Sequence, residues 1–145
     1  MKNVKNTGHI YKPLMAGLFV AYFATLICII FDVIFRQYTG FPLHVLINVS
    51  TLMFSILLLL PIAGCLFALI DKFFTKSTLI YEVLAIGTTL LLIYGVFQTH
   101  RSPDSLYSNE FHYLLLGVTL ITGVGAMLIP YFVKHSEYFV TDYYS

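Results

Sequence analysis

Four stretches of this sequence run without a charged residue for longer than a soluble core helix needs. Residues 14–31 make 18 such positions, 45–70 make 26, 83–99 make 17 and 113–133 make 21. A helix crosses the hydrocarbon of a bilayer with roughly 20 mostly apolar residues, within a range of about 17–25. The third run qualifies once it begins near Ser77 and accommodates Glu82. In lipid every backbone N–H and C=O must be satisfied within the chain, which favours helices for runs this long over the short alternating strands of a barrel. The expectation is an all-α integral membrane protein of a single domain spanning residues 1–145. Its four transmembrane helices are expected over about 13–35, 44–70, 77–98 and 112–134, with short tails at 1–12 and 135–145.

Composition agrees. The chain is 59% apolar and 10% charged, where soluble domains carry about 25% charged residues. The first run is read as a retained helix although Lys2, Lys5 and Lys12 precede it. It is longer than the apolar core of a signal peptide, about 7–15 residues, and no small-x-small cleavage site follows. Ile62-Ala63-Gly64-Cys65 imitates a lipidation box but sits deep in the second span.

Lysine and arginine placement sets orientation. Six lysines fall on one side: Lys2, Lys5 and Lys12 in the first tail, Lys72 and Lys76 in the second link, and Lys134 at the last tail. The opposite links hold Arg36 and Arg101. Both termini are therefore expected in the cytoplasm, in a bacterial inner membrane. The links, about 36–43, 71–76 and 98–111, are short, which predicts an up-down-up-down antiparallel bundle. In the third, Ser102-Pro103-Asp104-Ser105 supplies turn chemistry and Ser108-Asn109-Glu110 a helix start. Pro61 frees the carbonyl of Leu57 and Pro130 that of Ala126, a disruption that membrane helices tolerate. The tail "YFVKHSEYFVTDYYS" mixes tyrosine with charge, which suits a headgroup region.

Polar residues recur at helical spacing. His44, Asn48, Thr51 and Ser55 fall on one side of the second helix. The first carries Gly17, Ala21, Ala24, Cys28 and Asp32, with Arg36 a turn beyond. The fourth carries His112, Thr119, Gly123, Ala126 and Pro130, and the third Glu82, Ala85 and Thr89. Such faces are expected to turn toward each other, because small residues let membrane helices approach and hydroxyls bond across the gap. Packing alone accounts for Thr51, Ser55 and Thr119.

The ends of these stripes carry more. In the predicted topology Asp32, Arg36, His44, Asn48 and His112 gather at the outer level, and Glu82 marks the inner one. An intramembrane carboxylate needs a partner or water, and Arg36, four residues on, is placed to pair with Asp32. A route from Glu82 through Thr89 and Ser55 to Asp32 and His44 would cross the bilayer. His44 and His112 are weak metal or haem candidates, with Asp32 or Glu110 as a third ligand, because no HxxxH, HExxH or CxxC accompanies them. Cys28 and Cys65 differ in depth by roughly 15 Å, well beyond a disulfide's reach of about 7 Å. No P-loop, dinucleotide fingerprint, GxSxG or basic nucleic-acid patch occurs.

Three functions remain. The first is a non-enzymatic accessory or interaction subunit. The second is a small transporter or channel for protons, cations or a small polar solute past Asp32, His44, Asn48 and Glu82. The third is a metal- or haem-binding redox protein. No cofactor is expected. The expected partners are the lipid bilayer and either a second copy or a larger membrane complex, with no nucleic acid.

Overall fold

The computed structural model describes residues 4–40, 49–98 and 105–135, all of them in helices or the turns that end them. Four helices follow in order: α1 (Val4–Thr39), α2 (Val49–Phe73), α3 (Ser77–Gln98) and α4 (Ser105–Lys134). Each contains a segment long and apolar enough to cross a membrane: Ile10–Thr39, Val49–Phe73, Ser77–Gln98 and Asn109–Lys134.

The third helix has the predicted bounds. The others depart from them for one reason: charge marks where hydrocarbon ends, not where a helix ends. α1 begins at Val4, inside the predicted tail, and carries Pro13 in its interior. It also runs past the predicted end, so that Arg36 belongs to its last turn rather than to a link. Gly40 stops it, with φ of 66° and its N–H bonded to the Arg36 carbonyl at 2.9 Å, the left-handed cap that glycine adopts without a Cβ penalty. α4 begins at Ser105 instead of near residue 112, so Ser108, Asn109 and Glu110 lie within the helix. A polar first turn in water stays helical as readily as an apolar one in lipid. The start of the second helix near residue 44 lies outside the described residues.

α1 is the centre of the assembly. Its face of Ala16, Gly17, Val20, Ala21, Ala24, Cys28 and Asp32 is buried. Against it lie Ile56 and Leu60 of α2 and Ile129 of α4. The approach to α2 is set by two glycines. A Cβ on Gly17 would lie 2.8 Å from the Leu60 carbonyl oxygen, and one on Gly64 would collide with the carbonyl of Pro13. Residue numbers thus fall along α2 as they rise along α1. The same holds for α1 and α4, where Phe31 packs on Gly117 while Val20 and Ala24 meet Gly125. It holds again for α3 and α4, where Tyr81 reaches Ala126, Thr89 meets Gly123 and Phe97 meets His112.

α3 is attached differently. Its buried residues are Ser77, Tyr81 and Val96, and large apolar side chains such as Val83, Leu84, Leu90 and Leu91 face outward. Tyr81 is the tie. Its ring stands edge-on to Phe67 of α2 at 5.2 Å between centroids. Its hydroxyl donates to the Ala126 carbonyl of α4 at 2.9 Å, the acceptor that Pro130 leaves without its helical N–H. One side chain thereby joins three helices and satisfies a backbone group that lipid cannot.

Two expectations about inward faces fail. Ser55 is exposed, because α2 packs through Leu52, Ile56, Leu60 and Gly64, a row one position further on. Polarity did not force it inward, since a hydroxyl can bond the carbonyl four residues back on its own helix. Thr88 does this while exposed, donating to Leu84 at 2.8 Å. Glu82 is also exposed, with Tyr81 in the buried position beside it.

Replacing Tyr81 by Phe should lower bundle stability by about 1 kcal/mol, the scale of an interhelical hydrogen bond in a membrane, as measured by denaturant titration in mixed micelles. In a Pro130→Ala background, where an N–H returns to Ala126, the same replacement should cost well under half as much. Equal costs in both backgrounds would refute the coupling.

Candidate functional site

Among the described residues the one buried carboxylate is Asp32. It is 1% exposed, seven residues before the end of α1. Its neighbours on α1, Phe31 and Phe35, pack with Leu52 of α2 and with Phe111 and Leu114 of α4. A lone carboxylate there would carry a large desolvation penalty. Arg36 removes it. The Arg36 Nε–H is shared between the two carboxylate oxygens, 2.9 Å from Oδ1 and 3.0 Å from Oδ2, and the arginine is itself 13% exposed. The pair is intrahelical, one turn apart, with the cation at the helix C-terminus, where the macrodipole favours positive charge.

The rest of the polar face of α1 is internally matched. The Thr25 hydroxyl donates to the Ala21 carbonyl at 2.7 Å. Cys28 is fully buried on this face. On α4 the Thr122 hydroxyl donates to the Val118 carbonyl at 2.8 Å. Thr119 and Thr89 donate to the carbonyls of Leu115 and Ala85. Among the described residues no buried side-chain nitrogen or oxygen lacks a partner.

The structure brings together only part of the predicted cluster. Asp32 and Arg36 are paired. His112 is half-buried at the same end of the bundle, its ring 6.5 Å from that of Phe97. Glu82 lies toward the opposite end and faces outward. With Ser55 also outward, the described part of the route from Glu82 to Asp32 is not continuous through the interior. His44 and Asn48 lie outside the described residues. No three of His, Cys, Asp and Glu converge on a metal-sized site among the described residues. Cys28 and Cys65 are both free thiols.

Sequence reasoning did not single out Tyr81. The available signal was the proline: a freed carbonyl at Ala126 within a span requires a donor, and a tyrosine on a neighbouring helix is one of few side chains that reach it. A cavity of about 630 Å³ forms a groove between α1 and α4 with a wholly apolar lining that includes Phe19, Phe23, Val124 and Leu128. It has no group able to orient a polar substrate. No known protein family matches the chain, and neither does any curated protein or solved structure.

Arg36→Gln should destabilise the bundle by about 3 kcal/mol, because it strands the Asp32 carboxylate in an apolar setting. Asp32→Asn combined with Arg36→Gln should recover most of that loss in the same unfolding assay. A double variant as unstable as the single one would mean that the arginine acts by packing rather than by charge.

Proposed function

We propose that this chain is a small four-span integral membrane protein without an enzymatic site, acting as an accessory or interaction subunit in the plane of a bacterial inner membrane. Its helices run up-down-up-down with both termini cytoplasmic. The observation that carries the reading is where its chemistry lies. The interior polar groups are matched with one another, and the Asp32 charge is neutralised by Arg36. By contrast, outward surfaces rich in large apolar side chains extend along all four helices. α3 is the least covered of the four spans, with Leu84, Leu91, Tyr94 and the open positions Gly87 and Gly95 facing away from the other helices. In lipid, association depends on close van der Waals approach rather than on expulsion of water, and small residues on an outward face favour it.

The proposed orientation is supported by the grouping of charge. The contact of Pro13 with Gly64 places Lys12 at the same end as the α2–α3 link. Lys76 and Lys134 border one cavity there, whereas Arg36 is at the other end. A transporter remains the second reading, on the single observation that a buried carboxylate lies within a span.

A photo-crosslinking residue at Leu91 should trap a discrete protein adduct in native membranes, while one at the buried Leu114 should not. Absence of any adduct from α3, together with proton or cation flux in proteoliposomes that is lost in Asp32→Asn, would replace the accessory reading by transport. For orientation, a membrane-impermeant thiol reagent on spheroplasts should label Tyr38→Cys, at 87% exposure, and spare Lys72→Cys. The reverse pattern would invert the topology.

A further inference from the structure

At the lysine-rich end of the bundle, α3 begins and α4 ends beside a cavity of about 440 Å³. Its lining is Thr75, Lys76, Ser77, Thr78, Leu79 and Lys134. Two lysines far apart in sequence, one just before α3 and one at the end of α4, therefore line one space, and no described carboxylate lines it. Neither lysine forms an ion pair with a described residue. Asp71 accepts a hydrogen bond from the Ser77 hydroxyl at 2.6 Å and does not line the cavity. Glu82 is four residues beyond Thr78 and likewise absent from the lining.

The level of this cavity supplies a second, independent observation. Ser77 is the first residue of the third candidate span and Lys134 the last of the fourth. The cavity therefore lies where hydrocarbon gives way to headgroups, with Leu79 and the hydroxyl-bearing Thr75, Ser77 and Thr78 among its lining residues. Lipid phosphates are concentrated at that depth. Basic pockets between helix ends at a membrane surface attract anionic headgroups, each lysine adding about 1 kcal/mol, or roughly fivefold in affinity.

We propose that this cavity is a binding site for the phosphate of an anionic phospholipid, held between Lys76 and Lys134 with the Thr75 and Thr78 hydroxyls as further donors. The site does not depend on the accessory reading of the protein. A lipid bound there bridges the start of α3 to the end of α4, on the side of the bundle where α3 is otherwise tied by Tyr81.

The test is a native mass spectrometry titration of the full chain in an uncharged detergent with phosphatidylglycerol, phosphatidylcholine and inorganic phosphate. Phosphatidylglycerol should bind more tightly than phosphatidylcholine. Its dissociation constant should rise about fivefold in Lys76→Gln or Lys134→Gln and about 25-fold in the double variant. Lys12→Gln and Lys72→Gln, which remove charge at the same end but outside the cavity, should change it less than twofold. Equal losses in all four single variants would show a diffuse surface field and overturn the site. Displacement of the lipid by millimolar inorganic phosphate would identify a free-anion site instead and overturn the lipid assignment, as would unaltered lipid binding in the double variant. Unchanged melting temperatures exclude misfolding as the cause of any loss.

Discussion

The backbones of α1 and α2 touch, and the rest of the bundle is arranged around that contact. Gly17 lies against the carbonyl of Leu60, and Gly64 against that of Pro13. With no hydrophobic drive between helices in lipid, such close approach is what makes association favourable, since dispersion contacts fall away steeply with separation. Once the two helices are this near, α1 is left with a face of alanines, Cys28 and Asp32, shallow enough for α4 to pack against it. Gly117 and Gly125 admit Phe31 and Val20 from that face. Small residues on one helix are therefore met by large ones on another. Most hydroxyls of the interior bond within their own helix, while Tyr81 and Ser77 of α3 reach Ala126 of α4 and Asp71 of α2.

This arrangement explains which parts of the structure could be read from the chain. Helix number and the inward face of α1 followed from periodicity, because close packing requires small residues and small residues are easy to see. The Asp32–Arg36 pair followed from a four-residue spacing and the penalty of a bare carboxylate in lipid. Ser55 and Glu82 were misplaced because polarity is a poor guide to facing in a membrane helix. A hydroxyl bonds its own backbone, and a carboxylate near a helix end reaches water by itself. Helix ends were misjudged where α1 and α4 extend beyond hydrocarbon, since apolar length reports the thickness of the bilayer rather than the length of the helix. His44 and Asn48 fall outside the described residues.

Charge is segregated along the bundle axis. One end holds an arginine folded back onto a buried aspartate, a local dipole with little reach. At the other end lie Lys12, Lys72, Lys76 and Lys134, all exposed. A charge distribution of this kind is the one that the proposed orientation, with the lysines toward an anionic leaflet, relies on. It also leaves the central third of every helix free of charge, so that contacts there are governed by shape alone.

The Pro130–Tyr81 arrangement has a consequence for how the bundle comes together. A proline in α4 leaves the Ala126 carbonyl open, and in hydrocarbon an open carbonyl is costly. The donor that closes it sits on α3, so the defect is repaired only after those two helices have docked. An intermediate with α4 inserted and α3 still apart carries the full penalty, which depletes half-assembled forms relative to the finished one. The proline thus acts as a proofreading element during biogenesis: it weakens the lone helix and thereby sharpens the all-or-none character of assembly.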